Sequence, residues 1–293
     1  MQIDVGSNTV TAPTLFVETP LERHAYRRFG GRSSLPLLCL QHFTGTLDNW
    51  DPAVIDPLAD GREIILFDNA GVGRSSGTVP ETVDGMAKHA LAFLDGLGLS
   101  QCDVLGFSLG GVIAQQMVQD RPSVFRRMVL VGTAPRGGED IMHLEKPELA
   151  VHFADRTLHG YQILQKIFFA PTKTSQAAGA AFIDRLMQRT DDRDPPSGPE
   201  IAKAQIMAFR DWEHPHGERF AELKNITHPT LVVNGIRDEM IPIRNSYFLS
   251  ENLPNAVLLT YPDSGHGAMF QFHDSFTRQV TAFLGSDSAV AAF

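Results

Sequence analysis

The hexapeptide Gly106-Phe107-Ser108-Leu109-Gly110-Gly111 decides how this chain is expected to fold. It joins Asp103 to Phe107, an apolar run of strand character, to Leu109 to Gln119, a stretch of small and apolar residues of helical character. Glycines two positions either side of Ser108 let the chain turn sharply without side-chain clashes, which lifts the serine hydroxyl clear of a sheet. A helix starting immediately afterwards points free backbone N–H groups and its positive end at the same spot.

The neighbouring segments repeat the strand-then-helix pattern. Upstream, Leu35 to Gln41 is an apolar strand running into His42-Phe43-Thr44-Gly45, and Glu63 to Phe67 is another that stops at Asp68-Asn69-Ala70-Gly71-Val72-Gly73. Val83, Met86, Ala90, Phe93, Leu94 and Leu97 then recur at helical spacing, with Gly98 as the stop. Downstream, Met128 to Val131, Pro229 to Asn234 and Ala256 to Tyr261 read as strands, and Asn245 to Asn252 and His273 to Leu284 as helices. Such alternation predicts an α/β fold, a mostly parallel twisted sheet with helices on both faces. The pattern breaks at Pro135-Arg136-Gly137-Gly138, beyond which only helical spacing and loops follow, at Tyr161 to Phe169, Ala178 to Arg189 and Ile201 to Arg210. The expected organisation is a core in two parts, residues 1–134 and 223–293, with a helical cap at 135–222 between them.

A serine hydroxyl is a weak nucleophile and needs a base with an orienting carboxylate. Leu231-Val232-Val233-Asn234-Gly235-Ile236-Arg237-Asp238 is a strand and short loop ending in a carboxylate, and Tyr261-Pro262-Asp263-Ser264-Gly265-His266-Gly267 places a histidine in a glycine-flanked loop after the last strand. Leu109 N–H, at the start of the helix, is the natural first donor to an oxyanion.

These residues, in the order Ser, Asp, His, resemble the α/β-hydrolase superfamily, and within it the capped serine esterases and the haloperoxidase-like and proline-iminopeptidase-like members; the resemblance runs from about Val17 to Leu284. It implies that Ser108 attacks, His266 takes and returns the proton, and Asp238 orients His266. It also implies that Asp68-Asn69-Ala70-Gly71-Val72-Gly73-Arg74-Ser75 is a structural turn braced by Asp68. The family's His-Gly pair is His42-Phe43 here, so Thr44 supplies the second oxyanion N–H by position, with Phe43 N–H as the alternative. His42 is expected to brace that loop. Haloalkane dehalogenases and soluble epoxide hydrolases carry aspartate where this chain has Ser108, so neither activity is expected.

Other residues compete for these roles. Glu139 and Asp140 follow the Met128 to Val131 strand, where some relatives carry the acid, but they lie past the Pro-Gly-Gly break and read as solvated. His214-Pro215-His216 reads as a loop rather than a metal pair, and Asp263 as a turn residue. Gly71-Val72-Gly73 lacks the helix and distal glycine of a dinucleotide site, so neither cofactor nor metal is expected.

With 293 residues, 43% hydrophobic content, 20% charged content and a net charge of -9, the chain is expected to be globular and to bind a small, largely uncharged molecule rather than nucleic acid or an anionic membrane. Cys39 and Cys102 lie in apolar strands and read as reduced, buried thiols. Met1 to Pro20 lacks a basic start and an apolar stretch, and a cytoplasmic protein is expected. Oligomeric state is not legible. Ile163, Ile167, Phe168, Phe169, Phe182, Leu186, Met207 and Trp212 should bury most of the cap against the core and present a few side chains to the substrate.

The expected activity is cleavage of a carboxylester or lactone through an acyl-enzyme. Perhydrolysis, carbon–carbon hydrolysis, proline aminopeptidase action and receptor-like binding with a vestigial triad stay open. An aminopeptidase would need acids facing the substrate ammonium, and the cap offers Glu145, Glu148, Asp155 and Asp184.

Overall fold

The computed structural model of the protein describes residues 6–32 and 34–286. The outer ends of the two expected core segments, at 1 and 293, lie outside these. In chain order the elements of the first half are β1 (Leu15–Glu18), β2 (Arg23–Gly30), β3 (Leu37–Leu40), α1 (Pro52–Ala59), β4 (Glu63–Phe67), α2 (Val83–Gly96), β5 (Cys102–Phe107), α3 (Leu109–Asp120) and β6 (Phe125–Val131). Four helices follow before the next strand: α4 (Pro147–Ala154), α5 (Gln162–Phe168), α6 (Lys173–Leu186) and α7 (Pro199–Trp212). The chain then returns to β7 (Thr230–Gly235), α8 (Arg244–Asn252), β8 (Ala256–Tyr261), α9 (Ala268–Gln271) and α10 (His273–Gly285).

One sheet of eight strands, ordered β1-β2-β4-β3-β5-β6-β7-β8, carries the core. The strands from β4 to β8 in that row are parallel to their neighbours, and β1 and β2 are antiparallel additions at one edge. Residues of β3, β4 and β5 are buried throughout, as strands covered on both faces require. This is the mostly parallel, helix-covered sheet expected from the alternation.

The strands β1 and β2 and the helices α1 and α4 are additions to the sequence reading. Tyr26 and Phe29 of β2 are buried, but Arg23, His24, Arg27 and Arg28 hide the run from a hydrophobicity pattern. Arg27 is fully buried because its guanidinium donates to Asp48 at 2.7 Å. Met207 departs from its expected burial: it is 47% exposed, on the outer face of α7, whereas Phe169, Phe182, Leu186 and Trp212 are buried. Both cysteines are buried and unpaired, and burial raises both thiols, Cys102 to about 12. No helix among the described residues is long and apolar enough to cross a membrane.

Candidate active site

Ser108 stands between the last residue of β5 and the first of α3, with φ 56° and ψ -114°. A non-glycine residue there stores strain on the order of 1–3 kcal/mol, which the surroundings must hold. They do so from several sides. Ser108 N–H donates to Val131 C=O at 2.8 Å, and Thr133 Oγ1 donates to Ser108 C=O at 2.9 Å. Gly106 and Gly110 permit the turn because a Cβ on either would collide with backbone, of Gly110 and of Leu40 respectively.

His266 and Asp238 arrive on the loops after β8 and β7. His266 Nδ1 lies 2.8 Å from Asp238 Oδ2, and both side chains are 0% exposed. The other oxygen, Asp238 Oδ1, accepts the N–H groups of Met240 and Ile241, each at 2.9 Å, so the carboxylate is fixed on both sides. With Nδ1–H directed to Asp238, His266 Nε2 carries the lone pair. Neither Nε2 nor Ser108 Oγ has a hydrogen-bond partner, and both are buried. Phe107 and Phe168 pack on the imidazole with ring centroids at 5.0 and 5.4 Å, and Gly132, with φ 53°, leaves room for it where a Cβ would stand 3.2 Å from the ring.

Ser108, His266, Phe43 and Thr44 share the wall of one cavity of about 860 Å³. Much of the remaining wall comes from the four-helix segment, including Tyr161, Ile163, Leu164, Ile167 and Phe168. The segment is anchored at the histidine loop itself, where Gly267 N–H donates to Phe168 C=O at 2.8 Å.

The two expected oxyanion donors differ in state. Leu109 N–H is at the first position of α3, where a helix leaves its N–H groups unpaired by its own carbonyls. Thr44, at φ 58°, donates its N–H to Gln205 Oε1 of α7 at 2.6 Å, and its C=O accepts from Ser197 Oγ at 2.8 Å. His42 closes the same loop, with Nδ1 2.7 Å from Phe43 C=O. Burial holds its pKa down to about 3, so it is neutral at pH 7.

The competing residues lie elsewhere. Glu139 pairs with Arg219 and Arg244 at the surface, and Asp140 with Lys146 and Arg244. Asp68 is buried and accepts the N–H groups of Leu47 and Arg74, which ties two loops together. Asp263 accepts from Thr172 Oγ1 at 2.9 Å. His216 lies 3.2 Å from an Arg136 nitrogen, and Glu145, Glu148, Asp155 and Asp184 are exposed. The acid that does line the cavity is Asp194, which the sequence reading did not single out. Its side chain is 0% exposed, neither oxygen is hydrogen-bonded, and burial, with Asp48 nearby, raises its pKa to about 6.

A helix-covered parallel sheet, a strained serine between its strand and helix, and a histidine–aspartate pair at the ends of two later strands define the architecture of an α/β hydrolase. Residues 36–272 match the family described as alpha/beta hydrolase fold, and the chain belongs to that family. An alpha/beta hydrolase fold protein from Chitinophaga pinensis has a similar structure, with a TM-score of 0.88 and 41% identity over 96% of this chain and 100% of that one. A poly(3-hydroxyalkanoate) depolymerase of Ectopseudomonas oleovorans is 31% identical over 87% of each chain. A putative carbamate hydrolase RutD of Caulobacter sp. strain K31 is 27% identical over 82% of this chain and 87% of its own. The relatives support hydrolase activity.

Proposed function

We propose that this protein is a serine hydrolase that cleaves a carboxylester or lactone of a small, largely uncharged substrate through an acyl-enzyme. The observation that carries the reading is the strained Ser108 sharing one apolar-walled cavity with His266, whose far nitrogen is held by the buried Asp238. As Ser108 Oγ bonds to the substrate carbonyl carbon, its proton passes to His266 Nε2. Leu109 N–H and an N–H of the Phe43–Thr44 loop stabilise the oxyanion. Collapse breaks the bond to the leaving alcohol, which takes the proton from His266. Water then attacks the acyl group by the same route and frees Ser108.

The relatedness to putative carbamate hydrolases supports a carbamate as the second bond class, since the same nucleophile and donors serve that carbonyl. The four cap acids that the aminopeptidase reading called on are exposed, and the acid that lines the cavity is Asp194, so proline-naphthylamide belongs in the substrate panel.

The test is turnover of p-nitrophenyl acetate, a lactone, an aryl carbamate and proline-naphthylamide by the wild type and by folded Ser108→Ala. Activity should be highest on the ester or lactone and fall on the order of a thousandfold or more in the variant. Unchanged turnover in Ser108→Ala would remove the serine from the mechanism, and a dominant carbamate activity would move the substrate class.

A further inference from the structure

Away from the cavity, three side chains of metal-binding chemistry converge from separate elements: Glu22 from the turn before β2, His24 from β2 and His89 from α2. Their donor atoms all lie within 4.8 Å of one another. Glu22 Oε1 is 3.4 Å from His24 Nε2 and 2.5 Å from His89 Nδ1. The side chains of His24 and Glu22 are 0% and 4% exposed, and His89, at 22%, faces the way in.

His24 separates this cluster from an ordinary hydrogen-bonded pair. It is fully buried, and what its ring nitrogens meet is the Glu22 carboxylate at 3.4 Å and the backbone of Asp68, neither in well-formed hydrogen-bond geometry, a state that buried polar groups rarely adopt. Phe67 and Phe93 pack beside it, with centroids at 5.2 and 5.8 Å, and their rings bring no polar atom. Glu22 contributes a shielded carboxylate whose ion-pair partners among the described residues are these two histidines. Gly77, with φ 85°, lets the backbone press against that carboxylate, where any Cβ would collide with it.

We propose that Glu22, His24 and His89 form a structural site for a divalent transition metal of the zinc type. Two imidazoles and one carboxylate suit zinc or cobalt better than magnesium or calcium. In a tetrahedral site with bonds of about 2.0–2.2 Å, ligand atoms stand roughly 3.3–3.6 Å apart. The Glu22–His24 separation already has that value, and the Glu22–His89 contact has to open by about 1 Å. On opening, the His89 proton moves to Nε2, so that Nδ1 and the Glu22 carboxylate each present a lone pair to the metal, with water in the fourth position. The metal would tie the turn before β2 and strand β2 to α2. None of the three residues lines the Ser108 cavity, so the role is structural.

The test uses the untagged full chain, stripped with a chelator. Zinc titrated by calorimetry should bind at one equivalent and raise Tm by several degrees, reversed by EDTA, and cobalt should give the visible absorption bands of a tetrahedral site. His89→Ala, at the partly exposed corner and therefore least costly to folding, and Glu22→Gln should each weaken zinc binding at least tenfold and abolish the Tm shift. Absence of stoichiometric binding by the wild type overturns the proposal. So does undiminished binding in both variants, which would place the metal elsewhere, such as at His214 and His216.

Discussion

Gln205 Oε1 accepts the N–H of Thr44 at 2.6 Å, so helix α7 holds the loop that faces Ser108. Gln205 is fully buried and its Nε2 has no partner. The amide oxygen therefore occupies the N–H that family resemblance assigns to the oxyanion, and if Thr44 is the donor a substrate has to displace it. A neutral hydrogen bond contributes about 0.5–1.5 kcal/mol net, equivalent to roughly 2- to 12-fold in rate. Gln205→Ala should accordingly raise kcat/KM for p-nitrophenyl acetate within that range. A fall of similar size would mean that the amide positions the loop and that Phe43 N–H is the donor.

Asp238→Asn should lower kcat on the order of 10⁴-fold with little change in KM, because the amide no longer holds His266 in the required tautomer or supports its positive charge. Glu139→Gln and Asp140→Asn should stay near wild type, since their partners are surface arginines and a lysine. Steady-state kinetics on one ester decides the matter. The reverse pattern would move the acid to the loop after β6.

The elements that carry this site were legible because each has a local signature. Ser108 sits among glycines, and Asp238 and His266 each follow an apolar strand in the expected order. Strand β2 was not, because a strand whose charged side chains are paired by remote partners shows no apolar period, and β1, at four residues, is too short to show one. Asp194 lay in Asp191-Asp192-Arg193-Asp194-Pro195-Pro196, which reads as a solvated loop, and only the three-dimensional path of the chain turns it toward the cavity. Gln205 did leave a signal. It occupies the buried stripe of α7 with Ala208, Phe209 and Trp212, at positions i, i+3, i+4 and i+7, where a polar residue calls for a partner.

Asp194 gives a pH signature of stability. Its folded pKa of about 6 lies above the unfolded value of ~3.9, so between these values the native state binds more protons than the unfolded one. The contribution of Asp194 to stability is then greatest below ~4, declines as pH rises through the window, and levels off above about 6. Asp194→Asn lacks this titration. Its stability relative to wild type should therefore grow from pH 4 to pH 6 by on the order of 1–3 kcal/mol, measured by urea unfolding at each pH. A pH-independent difference would mean that Arg74 and Arg27, 3.7 and 4.0 Å away, keep the carboxylate ionised throughout.

The helical segment supplies two kinds of apolar residue, and alanine substitution should separate them. Ile163 and Ile167 line the cavity, whereas Phe182 is fully buried and stacks on Phe270 at 4.4 Å between ring centroids. Ile163→Ala should change the octanoate-to-acetate ratio of kcat/KM by about 1–3 kcal/mol, since only the longer acyl chain reaches that wall. Phe182→Ala should instead cost about 3–5 kcal/mol of stability and leave the ratio alone. Met207→Ala, at an exposed position, should fall within about 0.5 kcal/mol of wild type in stability and leave the ratio unchanged. Melting curves and a chain-length series of p-nitrophenyl esters read both effects. A selectivity ratio that no cavity-lining variant moves would make the segment a structural cover and place acyl selection on the core loops.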